Sequence, residues 1–262
     1  MKRSLLAPIV ALAGASLLLN GGRALAANNF FSVDLNKTFG DAYTGVAARM
    51  EFTFGGSDSA YTLGLKIINT SGSAINSSSL TGFAFDTPGI VNDSTLTYDR
   101  NGTNFYRAND SLTISPAPSF DFCASTDNNI SNGTNCGSGS TAQGLAKGQD
   151  ATVKFTFNTT TSTNLENVTS SFFSLFNQVA VNGNTADPNT VVLAARFQAI
   201  NSSSLSDGSD KITGKPTSGP GPAPVDEVPG PLPWLGTAAA FSYSRRLRRR
   251  LARARAAHTS EA

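Results

Sequence analysis

Apolar and polar residues alternate along much of this chain, the period-two pattern of strands that bury one face. In Met50-Glu51-Phe52-Thr53-Phe54 the apolar side chains at 50, 52 and 54 share a side. Residues 61–67 repeat this with Tyr61, Leu63, Leu65 and Ile67, and residues 151–157 with Ala151, Val153, Phe155 and Phe157. Leu193, Ala195, Phe197 and Ala199 do the same further on, and shorter stretches at 31–35, 80–85, 95–98, 112–114 and 120–122 read as additional strands. Between them lie segments such as Asn69-Thr70-Ser71-Gly72-Ser73 and Asn101-Gly102-Thr103, whose side chains favour turns. Only residues 164–179 keep a three-to-four spacing, through Leu165, Val168, Phe172, Leu175, Phe176 and Val179. Thr169, Ser170 and Ser171 weaken it, so the pattern predicts a helical turn or two. The sum is an all-β fold, an antiparallel β-sandwich with a jelly roll as one form of it, carrying at most one short helix.

The two ends are written differently. Lys2 and Arg3 precede an apolar run from Leu5 to Leu19, and Ala24-Leu25-Ala26 supplies the small residues that signal peptidase requires. Residues 1–26 are therefore expected to be a signal peptide, cut before Ala27. Residues 27–215 suffice for one domain with a substantial core. Residues 216–227 are rich in Pro and Gly and read as an extended linker; seven of the twelve prolines of the chain lie from Pro216 onward. Residues 228–255 then combine Val228-Pro229-Gly230-Pro231-Leu232-Pro233, a short apolar segment reaching Tyr243, and an arginine cluster of Arg245, Arg246, Arg248, Arg249 and Arg250, before a tail of residues 256–262. That apolar segment is interrupted by Pro233 and Gly236 and falls well short of the roughly twenty residues of a stable membrane span. It suits a transient hold in a bilayer, with the arginines retained on the cytoplasmic side.

Setting the termini aside changes the sign of the charge. Residues 27–228 hold ten Lys and Arg against seventeen Asp and Glu, a net of minus seven, although the whole chain is formally +2. No basic stripe remains to follow a phosphate backbone, which excludes nucleic acid as a partner.

Candidate chemistry is sparse. His258, the only histidine, lies beyond the arginine cluster, so neither a histidine-dependent triad nor a histidine zinc site can be built in the body. Cys123 and Cys136 are the only cysteines; in an exported chain they favour a disulfide over metal binding or nucleophilic chemistry, and closing this loop would stabilise the fold by about 3 kcal/mol. Asp86, Asp93, Asp99 and Asp110 fall in one stretch, and two of them held close together would suit acid and base roles on a glycosidic bond. As turn residues they read more simply as solvated acids. Asp207 and Asp210, in Ser206-Asp207-Gly208-Ser209-Asp210, form a weak calcium candidate without the EF-hand spacing. Tyr43, Tyr98 and Tyr106 are the residues that could stack on a sugar. No cofactor is expected.

The proline motif, apolar segment and arginine cluster resemble the PEP-CTERM sorting signals that exosortases process on exported bacterial proteins, with Gly230 at the position of the family's glutamate. In the body, Ile67-Ile68-Asn69-Thr70-Ser71, Thr81-Gly82-Phe83-Ala84-Phe85-Asp86, the Asp121-Phe122-Cys123 and Asn135-Cys136-Gly137 pair, and Ala195-Arg196-Phe197-Gln198-Ala199-Ile200 before Gly208-Ser209-Asp210 are together similar to the cistern family of PEP-CTERM proteins. Residues 174–189 look like an insertion relative to that pattern. The resemblance implies an exported protein with paired cysteines and a processed tail, and it carries no catalytic residue. The expected function is a non-catalytic cell-surface or extracellular-matrix protein. Its partners are signal peptidase, an exosortase-like enzyme and, transiently, the inner membrane. The alternatives are an extracellular polysaccharide-binding module and a carboxylate-dependent glycosidase.

Overall fold

The computed structural model describes residues 28–108, 112–127, 136 and 139–224. In chain order the strands are β1 (Phe30–Thr38), β2 (Ala48–Ser57), β3 (Ala60–Asn69), β4 (Ile75–Phe85), β5 (Val91–Asp99), β6 (Tyr106–Arg107), β7 (Phe122–Ser125), β8 (Leu145–Ala146) and β9 (Asp150–Thr159). Helix α1 (Leu165–Phe176) follows, then β10 (Val181–Asn182), β11 (Thr185–Ala186), β12 (Leu193–Ser202) and β13 (Gly208–Pro216).

The main sheet runs β5-β9-β3-β2-β1-β13-β12-β4-β7-β6, each neighbouring pair antiparallel. It folds over on itself, so the facing layers of the expected sandwich belong to one continuous, nearly closed sheet. Its two ends are joined through side chains. The Tyr98 ring on β5 lies 5.0 Å from Phe122 on β7, its hydroxyl donates to Phe105 O at 2.9 Å, and Arg107 Nη1 on β6 donates to Leu96 O on β5 at 3.2 Å.

Phenylalanine fills the interior. Phe122 meets Phe155 edge-on at 4.8 Å, and Phe85 contacts both. Such edge-to-face pairs add to the stabilisation that ring burial already supplies. Helix α1 closes the opposite part of this core, with Phe172 against Phe54 and Phe157, and Phe176 against Phe31 and Phe52. The helix is longer than the expected turn or two. Asn164 caps it by accepting from Asn167 N–H at 2.8 Å, and the hydroxyls of Thr169 and Ser171 donate back to Leu165 O and Asn167 O. These local bonds accommodate the residues that weakened the sequence pattern.

Two other expectations change. Residues 112–114 form no strand; Thr113 makes a single bridge to Ser119, while Ile114 and Phe120 are buried. The segment 206–210, weighed above as a calcium candidate, instead leads into β13, a strand whose fully buried positions include Asp210 and Thr213 beside Ile212. Beyond its end the chain stays against β1: Phe30 and Gly221 exchange backbone hydrogen bonds at 2.9 and 2.8 Å, inside the expected linker.

A second, smaller core lies outside the sheet, on the outer face of β4, β7 and β12. It contains Phe39, Ala84, Ile114, Phe120, Cys123, Cys136, Val179, Val191 and Ala194. Residues 139–146 add to this cover by crossing the outside of β4. Thr126 donates to Ser140 O, Ser79 Oγ to Thr141 O, and β8 pairs with β4. The crossing is close enough that a Cβ at Gly139 would stand 2.6 Å from Thr81 Cβ, which accounts for the Gly- and Ser-rich composition there. Strand β4 is thus buried on both faces from Ser78 to Phe85.

Phe155→Ala should destabilise the protein by about 3–5 kcal/mol, measured by urea unfolding. A loss under about 1 kcal/mol would mean that the meeting sheet ends do not depend on this ring.

Candidate functional site

Phe85 on β4 and Phe122 on β7 are register partners, so the antiparallel ladder sets the next residues out, Asp86 and Asp121, side by side. Asp121 N–H donates to Asp86 Oδ1 at 3.3 Å. The chain then turns through Thr87 and Pro88 into β5, which brings Asp93 to the same place. Thr87 N–H donates to Asp121 Oδ2 at 2.8 Å, and its hydroxyl donates to Asp93 Oδ1 at 2.5 Å while lying 3.0 Å from Asp121 Oδ2. Two carboxylates therefore converge on one threonine, and the third, Asp86, is tied to them through the Asp121 N–H.

The electrostatics of Asp86 differ from those of a solvated acid. Burial first, and the neighbouring charge of Asp121 second, push Asp86 up to about 7, with the Asp121 N–H pulling the other way. A carboxyl whose pKa is raised toward neutrality beside a second carboxylate is the arrangement from which acid and base roles are made. Asp93 and Asp121, however, both accept from Thr87, the pattern of a staple that holds the β4–β5 loop to the start of β7. Beyond the loop, an open groove of about 510 Å³ runs between Pro88, Gly89 and Ile90 and the helix side chains of Asn167, Ser170, Ser171, Ser174 and Gln178. None of the three carboxylates lines it.

Of the acids singled out in the sequence, Asp86 and Asp93 come together. Asp99 serves its own turn, accepting from Asn101 N–H at 2.8 Å, and Asp110 lies outside the described residues. Asp121 was missed; the visible signal was its position just before the apolar Phe122-Cys123 pair, which only strand pairing connects to Asp86.

Asp207 and Asp210 are separated by the fold. Asp207 is an exposed turn residue at φ 53°. Asp210 is wholly buried and accepts from Thr38 Oγ1 at 2.6 Å and from Thr44 Oγ1 and N–H at 2.7 and 3.2 Å, fastening the β1–β2 connection to β13. Burial raises its pKa while these donors oppose the shift. Among the described residues no group of three or more His, Cys, Asp or Glu is placed to hold a metal ion.

Cys123 and Cys136 lie at disulfide distance, their Cα atoms 6.1 Å apart, and both are fully buried in the outer core. The tyrosines form no common platform: Tyr98 packs on Phe155 and Phe122, Arg100 stacks over Tyr106 at 4.7 Å, and Tyr43 is the only exposed tyrosine among the described residues. The cleavage residues Ala24, Ala26 and Ala27, the motif from Val228 to Pro233 and the arginines from Arg245 to Arg250 lie outside the described residues. Within the described residues no helix is long and apolar enough to cross a membrane. No family model matches the chain, and no curated protein or solved structure is similar enough to be matched to it.

Because the folded-state pKa of Asp86 stands above the ordinary 3.8, its contribution to stability is full below that value and is lost as pH rises through about 7. The thermal midpoint should fall between about pH 4 and pH 7.5, and Asp86→Asn should flatten that fall and raise the midpoint at neutral pH. Equal slopes for the two proteins would remove Asp86 as the titrating group.

Proposed function

We propose that this is an exported protein, sorted by an exosortase-like enzyme to the cell surface or extracellular matrix, where it acts without catalysis. The observation that carries the reading is the buried Cys123–Cys136 pair at disulfide distance. A pairing of this kind persists in oxidising compartments and is rare where thiols are kept reduced. The route comes from the termini. Signal peptidase would cut before Ala27, and the segment after Pro233 would hold the chain in the inner membrane, with Arg245 to Arg250 inside, until the exosortase-like enzyme releases it. The absence of histidine from residues 27–228 removes the commonest general base and is consistent with a non-catalytic role.

A glycosidase reading has one observation in its favour, the raised Asp86 beside Asp121. The engagement of Asp93 and Asp121 with Thr87 favours the staple instead.

Mass spectrometry of the protein recovered from its native host tests the proposal in one experiment. The expected species begins at Ala27, ends before Arg245 and yields a peptide pair linked through Cys123 and Cys136. A cytosolic protein with both ends intact and alkylatable thiols would overturn it.

A further inference from the structure

The outward face of β2, β3 and β9 carries a furrow of about 400 Å³ in the middle of the sheet. Two register rows make it. One runs Gly55, Thr62, Thr156 and Thr97; the other runs Thr53, Gly64, Lys154 and, beyond the furrow on β5, Asp99. Phe54, Leu63 and Phe155 turn their side chains into the core and give only backbone to the furrow. The floor is therefore peptide and glycine, and the sides are threonine and lysine.

The fold does not need that floor to be bare. A Cβ at Gly64 would meet nothing closer than Thr53 O at 3.8 Å, and the backbone there is not left-handed. At Gly55 a Cβ would stand 2.9 Å from Thr62 Oγ1, a hydroxyl that can rotate. A glycine inside a central strand gives up roughly 1 kcal/mol of strand preference relative to a β-branched residue, and marks places where a ligand comes close to the backbone. Gly64 is in β3, held on both sides by β2 and β9.

The chemistry of the lining selects the ligand. Strands β3 and β9 are paired on both edges, so a peptide would find no free backbone ladder to join. No carboxylate lines the furrow, so nothing there attracts a cation. Lys154 is its only charge, and residues 27–228 carry a net of minus seven, which repels a polyanion. What is offered is a trough whose exposed surface is more apolar than polar, suited to the faces of sugar rings, with the threonine hydroxyls able to donate and to accept and one ammonium donor. Three strands span about 10 Å, the width of one sugar chain lying flat.

We propose that this furrow binds a neutral, linear polysaccharide, whose rings lie on Gly55 and Gly64 and whose hydroxyls bond with Thr53, Thr62, Thr156 and Lys154. Sorting requires no such contact, so this inference and the proposed function stand or fall separately.

Affinity electrophoresis of the exported protein through gels containing hydroxyethylcellulose, dextran or a linear β-1,3-glucan tests it, with alginate as the acidic comparison. At least one neutral polymer should retard the wild type. Gly64→Thr fills the floor and should weaken that binding at least about tenfold while leaving the urea midpoint equal or higher. Should that variant fail to fold, the exposed double substitution Lys154→Ala/Thr156→Ala should weaken binding to a similar extent. Retardation by no neutral polymer, retardation by alginate alone, or equal retardation of wild type and variant would each overturn the proposal.

Discussion

Strand β4 is buried on both faces, and its outer cover combines a small apolar core with a largely polar crossing segment. The inner face meets the phenylalanine core through Leu80, Phe83 and Phe85; the outer face is crossed by residues 139–146 and packs into the smaller core around Cys123 and Cys136. The crossing segment, whose apolar side chains are Leu145 and the small Ala142 and Ala146, recovers little free energy from burial, and ordering it costs entropy. A covalent link between Cys123 and Cys136, which lie at disulfide distance, would fix Cys136 to β7 ahead of that crossing segment. The hydrogen bonds from Ser79 and Thr126 to its backbone are then made at short range.

Much of the architecture was legible in the sequence, and the failures have physical causes. Where a strand buries a single face, as β2, β3 and β9 do, the alternation is visible residue by residue. Strand β13 was not recognised because its inner positions include Asp210 and Thr213, whose burial is made tolerable by hydrogen bonds from residues 38 and 44 and to Leu193 O. Ile114 and Phe120 looked like strand residues because they are buried; they serve the outer core, which has no period in the sequence. The helix was underestimated because its stabilising bonds come from Asn164, Thr169 and Ser171, residue types that lower intrinsic helix preference.

The candidate site was half visible. Asp86 and Asp93 lie close in sequence, but Asp121 joins them only through the β4–β7 register. The raised Asp86 follows from burial that no spacing rule reports. The glycine furrow was also hidden, because Gly64 reads simply as a weak position in a strand until its surroundings show that a side chain would fit.

The most direct test of the dependence on the covalent strap is to compare the wild type with Cys123→Ala/Cys136→Ala by urea unfolding and amide hydrogen exchange. The expected result is a loss of about 3 kcal/mol, with protection falling first in β8, in residues 139–146 and in β4, while β2, β3 and β9 keep theirs. Unchanged stability, or a uniform loss of protection across the sheet, would contradict the view that the disulfide holds a polar cover over a two-sided strand.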